Sequence, residues 1–407
     1  MKNLKPRLLA TVLLSALSLP VAALELCNPC GPVDTPKVYA VGTAYTPNWQ
    51  AAMWVDGVRT DLPPLVNSYN TGAKEANDIF VVDNFETGEP DVYVAGTANI
   101  TTNNAAAADS SAMVWKNGQI HSQIASISST YVNQFAGAKG LFIEGNTIYT
   151  TGYTDAKFSS IAGPQPNFAD MKPVYWKNGQ MTLLPINPSA YRGMGTRMAV
   201  RNGQTYVVGT HAFTMEGHPT TPGAFGSGTM WVNGTEIPYF PLPYVEAVTT
   251  TTTNVYAGGS FAPYAHENSI FYRAGYIYRA LSHGAAPADY GTPGVFYGVT
   301  LGKAGMHSRV TDLQVVGTRV YAVGWELRPS GKYVAKLWIN TTGVDLSEES
   351  ESAIATSVFV HGTDVYVGGS TNNIINQYAK AVIWKNGEMS SVNGSALGSH
   401  ITSIYVK

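Results

Sequence analysis

The chain has 407 residues, of which 13% are charged, and its formal net charge is −2. Because acids slightly outnumber bases, the sequence offers no basic face for nucleic acid and no polybasic segment for anionic lipid. Gly, Thr, Ser, Asn and Tyr are abundant and long helical patterns are absent, which argues against an α-helical protein and favours short strands joined by tight turns.

The N-terminus has the pattern of an export signal. Residues 1–7 contain three bases and no acid, residues 8–19 are apolar, and Ala22 and Ala23 are small enough for a signal-peptidase site. The apolar run is shorter than the roughly 20 residues that cross a bilayer, and no other segment reaches that length. We therefore expect residues 1–23 to be a signal peptide, the protein to be periplasmic or extracellular, and no membrane span.

Residues 24–36 form a separate N-terminal segment that contains Cys27 and Cys30 in the sequence Cys-Asn-Pro-Cys. In an oxidising compartment two cysteines this close are expected to form a small disulfide, which would fix only local geometry. Metal capture and thiol–disulfide exchange are the alternatives. The remaining residues, 37–407, are expected to form one repeat domain.

Along residues 37–407 one phrase recurs, a β-branched or aromatic run that ends in Gly. Its copies end at Gly42, Gly96, Gly152, Gly209, Gly259, Gly324 and Gly369, so the spacing is 45 to 65 residues. A period of this size is typical of propellers and other repeat arrays rather than of separate domains.

A second phrase follows the first and places an aromatic residue before Asn-Gly or a related pair. It reads MWVDG, VWKNG, YWKNG, MWVNG and IWKNG, with FYRAG at Tyr272 and LWINTTG at Trp338 as degenerate copies. Asn-Gly between apolar alternations predicts a type I′ hairpin. With a further apolar run before each first phrase, every unit is predicted to contain four strands, a to d, which together make one propeller blade.

The two ends of the repeat region are complementary. Residues 401–407 match strand a but no strand b follows them, and a strand b begins near Val38 with no strand a before it. Pairing these ends would satisfy two open strand edges. The predicted fold is therefore all-β, a closed seven-bladed β-propeller with four-stranded blades whose C-terminal strand pairs with the N-terminal strand. An open stack of hairpins with capping repeats is the alternative.

The order of an apolar run, Gly-Gly in the copies ending at Gly259 and Gly369, then an aromatic residue and Trp, resembles the kelch class of propeller repeats. The resemblance covers nearly all of residues 37–407 and implies a fold without an activity. The Trp and Tyr residues of the phrases are predicted to form the core between blades. A lectin with one sugar platform per blade would instead need these rings exposed.

Long connections are predicted on one face of the propeller. The a–b and c–d turns share one face, whereas the longer b–c and d–a connections lie on the other, where rigid scaffolds usually carry binding sites. Charged residues near the start of the strands a are predicted to surround the channel mouth on this long-loop face: Asp78, Lys139, Arg197, Glu246, Arg309 and Asp312. They form either a ligand site or a solvated rim whose charges pair with one another.

A second group of candidates lies on or beside the same loops: His211, His218, His266, Glu267, Trp325, Glu326 and His400. His and acidic residues together could bind a metal or exchange protons, although no spacing of the HExxH kind is present. Ordinary loop positions are the alternative. The sequence assigns no catalytic residue, cofactor or metal.

Two functions remain open at the level of the sequence. The first is a monomeric binding or interaction module that presents its long loops to a glycan, a peptide or a protein. The second is an extracellular polysaccharide-active enzyme, a lyase or hydrolase, in which Arg197 or Lys139 neutralises a substrate acid and a His or Tyr acts as the base.

Overall fold

A computed structural model describes residues 35–45, 49–64, 73–99, 110–124, 134–157, 171–186, 190–213, 226–237, 244–261, 274–280, 296–302, 306–371, 379–392 and 398–407. The chain divides into Met1–Pro36 and Lys37–Lys407, and the strands of the described residues all lie in the second part. The predicted signal peptide, Cys27 and Cys30 lie outside the described residues, so their roles stay predictions. Within the described ranges no helix has the length and apolar character needed to cross a membrane.

The described residues form 28 β-strands. In chain order they are β1 Val38–Tyr45, β2 Trp49–Val55, β3 Val58–Asp61, β4 Ala73–Val82, β5 Asp91–Asn99, β6 Ser110–Lys116, β7 Gln119–Ile124, β8 Gln134–Glu144, β9 Thr147–Lys157, β10 Lys172–Lys177, β11 Gln180–Leu183, β12 Ala190–Arg201, β13 Gln204–Phe213 and β14 Gly226–Val232. They continue as β15 Thr235–Glu236, β16 Tyr244–Thr250, β17 Val255–Phe261, β18 Ala274–Ala280, β19 Phe296–Thr300, β20 Ser308–Val316, β21 Arg319–Leu327, β22 Tyr333–Ile339, β23 Thr342–Asp345, β24 Ala353–His361, β25 Asp364–Thr371, β26 Lys380–Lys385, β27 Glu388–Ser391 and β28 Ser399–Val406.

Each run of four strands forms an antiparallel meander, which we call a unit. Unit 1 is β28, β1, β2 and β3, and the later units follow in fours from β4–β7 (unit 2) to β24–β27 (unit 7). The architecture is an all-β propeller with four-stranded blades.

Hydrogen bonding gives six sheets in the described residues, not the seven separate ones expected from the sequence. Units 2 and 3 merge into one eight-stranded sheet, because strands β6 and β8 share a parallel pairing between Ser110 and Phe135. The other five sheets have four strands each. The prediction of seven separate sheets was therefore wrong at the junction of these two meanders.

The ends of the repeat region lie side by side. Strand β28 pairs with β1 in antiparallel register, from Val38 opposite Val406 to Ala44 opposite Ser399. Beyond the strands, the backbone N–H of Lys37 donates to the carbonyl of Lys407 at 2.6 Å, and the reverse bond measures 3.0 Å. The C-terminal strand is thus strand a of unit 1.

The core lies between neighbouring units. One apolar cluster joins Tyr256 of unit 5 to Trp338 of unit 6, and another joins Trp54 of unit 1 to Tyr366 of unit 7. The Trp residues of the second phrase are at most 1% exposed: Trp54, Trp115, Trp176, Trp231, Trp338 and Trp384. Rings this deeply buried form core, as predicted, and cannot serve as sugar platforms.

Unit 5 departs from the prediction. Tyr272, assigned to a degenerate second phrase, lies outside the described residues. In strand β18 it is Tyr278 that stands opposite Ala257, as Trp338 stands opposite Ala322 in unit 6. Tyr278 therefore stands at the register position that tryptophan occupies in the other units.

Candidate functional site at the channel mouth

A β-bulge interrupts strand a of every unit, next to the residue that pairs with the repeat Gly. In unit 6, for example, Gly324 pairs with Val310 and Val323 with Asp312, which leaves Thr311 as the extra residue. The extra residues of units 1 to 7 are Thr402, Asn77, Lys139, Thr196, Glu246, Thr311 and Thr356. Bulges re-aim side chains, so these residues form a set that the repeat places equivalently.

Thr at the bulge connects adjacent units. The hydroxyl of Thr311 lies 3.1 Å from the carbonyl oxygen of Val323 in its own unit and 2.8 Å from that of Ala355 in the next unit. Thr196, Thr356 and Thr402 make the corresponding pairs of contacts. A hydroxyl that donates to buried carbonyl groups satisfies them, so Thr is the structural residue of this position.

Two units carry a charged residue instead of Thr, and each charge is paired. Lys139 Nζ lies 2.6 Å from Glu75 Oε2 of unit 2 and 3.4 Å from Asn77 Oδ1. Arg309 of unit 6 donates to the carboxylate of Glu246 in unit 5. Glu75 and Arg309 each stand two residues before the bulge of their own strand, so the two ion pairs are built from equivalent positions.

Both ion pairs face one cavity of about 500 Å³. Its lining includes Glu75, Lys139, Glu246 and Arg309, together with Tyr153, Arg192, His211 and Tyr244. A smaller cavity of about 300 Å³ shares Lys139 and Glu246 and adds Arg197 and the Thr residues of three bulges. Volumes of this size suit a small-molecule ligand or one residue of a polymer.

The side chains that line the cavities carry a net positive charge, whereas the net charge of the whole chain is negative. Four bases line them, Lys139, Arg192, Arg197 and Arg309, against the two acids Glu75 and Glu246. The whole chain has a formal net charge of −2. The local excess of bases therefore favours an acidic ligand.

The Glu75–Lys139 pair is charged on both sides at neutral pH. The Lys139 ammonium holds the pKa of Glu75 below its usual range, even though burial acts in the opposite direction. Burial lowers the pKa of Lys139, but the attraction of Glu75 outweighs this and the pKa is raised overall. Burial likewise raises the pKa of Tyr153, so its phenol is protonated at neutral pH.

His211 contributes a neutral wall to the cavity. Its ring is 2% exposed and lies 5.4 Å from the ring of Trp231. Nδ1 is 3.6 Å from Glu236 Oε1. Burial lowers the pKa of His211 to about 4 and raises the pKa of Glu236. His218, the other half of the possible metal pair, lies outside the described residues, and those described contain no group of three potential metal ligands.

Asp78 and Asp312 tie strands together instead of facing either cavity. Asp78 accepts hydrogen bonds from the backbone N–H of Leu141 and the hydroxyl of Ser403, both at 2.8 Å. Asp312 accepts from the N–H of Val358 at 2.9 Å and from Ser357 at 2.8 Å. Neither acid lines the two described cavities, because neighbouring strands a donate hydrogen bonds to their oxygens, and their place in a ligand site stays a prediction.

Arg197 joins three units at the level of the bulges. It donates through Nη1 to the carbonyl of Lys139 at 2.8 Å and through Nη2 to that of Thr402 at 3.4 Å. Burial raises the pKa of Asp312, and the Arg197 charge opposes that increase. Arg197 thus both lines the smaller cavity and supports the strands around it.

Five candidates remain. His266 and Glu267 lie outside the described residues, and the other three line neither cavity. Glu326 is 1% exposed and accepts from Arg328 at 2.5 Å. The Trp325 ring packs edge-on against Tyr333 at 5.0 Å. His400 stands two residues before the bulge of β28, in the position that Glu75 occupies in β4, and burial lowers its pKa.

Sequence reasoning missed Glu75, Tyr153, Arg192 and Tyr244. Glu75 and Tyr244 would have emerged from aligning the strands a two residues before the bulge, where Arg309 was found. Tyr153 and Arg192 carry no such signal, because they come from other positions in strands β9 and β12.

No family model matches the sequence, and no curated protein matches it. Among solved structures it is similar to a puromycin-hydrolyzing peptidase of Mycobacterium tuberculosis, at 11% identity and a TM-score of 0.45, over 88% of this chain and 51% of the peptidase. It is also similar to apo AztD from Citrobacter koseri, at 10% identity and a TM-score of 0.37, over 91% of this chain and 98% of that one. The chain spans about half the length of the peptidase. Similarities this low assign no activity.

Proposed function

We propose that this protein is an exported, monomeric binding module that holds an acidic ligand at the channel mouth. We also propose that its fold is a kelch-like ring of seven blades in which the eight-stranded sheet counts as two. Apolar clusters between units 2 and 3 and between units 7 and 1 support this count, because each unit then packs on two neighbours.

One observation carries the binding function: Lys139 and Glu246 stand where four other units have Thr. Giving up Thr forgoes a hydroxyl that links two units, which costs about 1 kcal/mol. In exchange the protein gains two ion pairs that face one cavity. Residues that depart from a local structural rule are typical of functional sites.

The charge balance favours a ligand that carries a carboxylate. Arg side chains bind carboxylates through two parallel hydrogen bonds. Arg309 lines the cavity, and its guanidinium is hydrogen-bonded to the carboxylate of Glu246. A ligand acid would therefore compete with Glu246 for Arg309 and bind Lys139 alongside Glu75. A glycan, a peptide or a protein segment could each supply such a group.

The experiment replaces each charged bulge residue by Thr, the residue that four other units have at the bulge. Lys139→Thr removes a cation from the cavity, and Glu246→Thr removes the competing acid. We expect both variants to keep the wild-type circular dichroism and thermal midpoint within a few degrees. In calorimetric titrations with acidic saccharides and peptides, Lys139→Thr should weaken binding about tenfold and Glu246→Thr should strengthen it.

Lys332→Thr is the matched control, since it removes one positive charge from an exposed position. Equal effects of Lys139→Thr and Lys332→Thr on affinity would refute the proposal. So would the failure of every acidic compound to bind.

A polysaccharide-active enzyme is the second candidate, and Tyr153 is the observation that favours it. Its phenol lines the cavity, and its pKa responds to the charge of Lys139. A tyrosine beside a cation can exchange a proton with a substrate. Turnover of an acidic polymer that is lost in Tyr153→Phe, with binding retained, would establish the enzyme.

A further inference from the structure

Trp49 differs from the tryptophans of the second phrase. Its side chain is 39% exposed, whereas those are at most 1% exposed. It is the first residue of β2 and stands opposite Tyr45, the last residue of β1, so it lies at the b–c end of unit 1 on the long-loop face. A large aromatic ring left in water does not contribute the stabilising free energy of its burial. An exposed ring of this kind is therefore more easily explained by a binding role than by a role in stability.

Two neighbouring rings support the indole. Tyr45 meets it edge-on, with centroids 5.6 Å apart and an interplanar angle of 64°. The ring of His400 lies 6.1 Å away at 59°. An indole supported from two sides and open to solvent is a preorganised surface for a flat apolar ligand face.

This surface lies close to the charged cavity. Thr402 of β28 donates to the carbonyl of Ala76 in β4 at 2.7 Å, so these two strands are adjacent at the level of the bulge. Two residues before the bulge residue of each strand stand His400, which contacts Trp49, and Glu75, which lines the cavity. Burial lowers the pKa of His400, and the charges of Glu75 and Lys139 also act on it, in opposite directions.

We infer that Trp49 is a stacking platform for a sugar ring, and that the ligand of the channel mouth is an acidic oligosaccharide. This inference rests on the proposed binding function. One face of a pyranose presents C–H groups that pack on an aromatic ring, while the carboxylate of a neighbouring residue in the same oligosaccharide reaches the cations of the cavity. The ligand therefore needs at least two connected sugar residues and an acid group.

The test compares short oligomers with their parts on the full-length protein. The probes are oligomers of galacturonate, of mannuronate and guluronate, and of hyaluronan, together with monomeric galacturonate, succinate and neutral maltotriose. We expect at least one acidic oligomer to bind about tenfold more tightly than monomeric galacturonate or succinate. Trp49→Ala should remove that advantage and leave the affinity for the two small acids unchanged.

Two variants control for a purely structural effect. Tyr333→Ala changes the corresponding first residue of strand c in unit 6, opposite Leu327, and should leave oligomer affinity unchanged. Trp49→Phe keeps an aromatic face and should retain most of the affinity. The second-phrase tryptophans are buried, and Trp325 is present in both proteins, so bound oligomer should reduce acrylamide quenching of tryptophan emission more in the wild type than in Trp49→Phe.

The outcomes separate this inference from the function it rests on. If the small acids bind but no acidic oligomer binds more tightly, or if Trp49→Ala leaves oligomer affinity unchanged, the saccharide assignment is overturned and the acidic site stands. Tight binding of acidic peptides without any oligomer overturns it as well. If no acidic compound binds, both proposals fall.

Discussion

The repeat Gly is required because a side chain would not fit at its position, and not because of a positive φ. A Cβ added to it would lie 1.8 to 2.1 Å from a backbone oxygen of strand a in every unit, and at Gly324 that oxygen belongs to Arg309. Contact with backbone cannot be relieved by a rotamer change. The close approach of strand a beside its bulge therefore requires Gly in strand b.

Gly324→Ala tests this requirement. We expect a loss of about 3 kcal/mol in the free energy of unfolding, measured by urea denaturation, because the strand must shift to admit the methyl group. Gly317→Ala is the control, since Gly317 has open space around it and only its positive φ of 59° opposes the change. That strain should cost about 1 kcal/mol. Equal losses in the two variants would contradict the steric explanation.

At the scale of the element, the c–d turn also anchors strand b. The turn residue is Asn or Asp with φ between 47° and 55° in six units: Asp56, Asn117, Asn178, Asn233, Asn340 and Asn386. Its side-chain oxygen accepts a hydrogen bond from the N–H at the start of strand b, as Asn178 does from Ile148 at 2.8 Å. The preceding Lys177 lies over the Tyr149 ring at 5.5 Å. The two phrases of the repeat thus interact physically.

Asn178→Ala should destabilise the protein by about 2 kcal/mol in chemical denaturation. Alanine is sterically strained in the left-handed conformation, and it leaves the N–H of Ile148 without its acceptor, and both effects lower the free energy of unfolding. Asn178→Asp keeps the acceptor, as in unit 1, where Asp56 accepts from the N–H of Val38 at 2.8 Å. The loss of unfolding free energy in Asn178→Asp should therefore be well below about 2 kcal/mol. Similar losses for both variants would show that the side-chain oxygen does not matter.

Local signals explain which elements the sequence predicted. The Gly run and the Asn-Gly pair each encode their own strand end or turn, so strands b and c were found in most units. A bulge adds one residue and shifts the in–out alternation of strand a, and no local pattern marks it. That shift is why Glu75, two residues before the bulge of β4, was missed. In unit 5 the sequence offers two aromatic segments, and the pairing with β17 places Tyr278 at the tryptophan position.

At the scale of the whole molecule, the ring depends on β28. Two ion pairs flank the junction, Lys407 with Asp83 at 2.6 Å and Lys37 with Glu89 at 3.2 Å. Both are partly exposed and contribute little. The larger contribution comes from apolar side chains of β28 that are at most 3% exposed: Ile401, Ile404 and Val406. Burying three such side chains stabilises by about 6 kcal/mol, which is comparable to the whole stability of many domains.

Deleting residues 399–407 should therefore abolish cooperative unfolding, because β1 would expose an unpaired edge and units 1 and 7 would lose their shared core. A synthetic peptide of residues 398–407 should restore the near-ultraviolet circular dichroism and raise the thermal midpoint with peptide concentration, since it binds only the folded ring. The same peptide with Ile404→Asp should fail, because that side chain is 3% exposed in unit 1. A truncated chain that melts cooperatively at the full-length midpoint would mean that the remaining units hold together without closure, and that the channel mouth is not shaped by the ring.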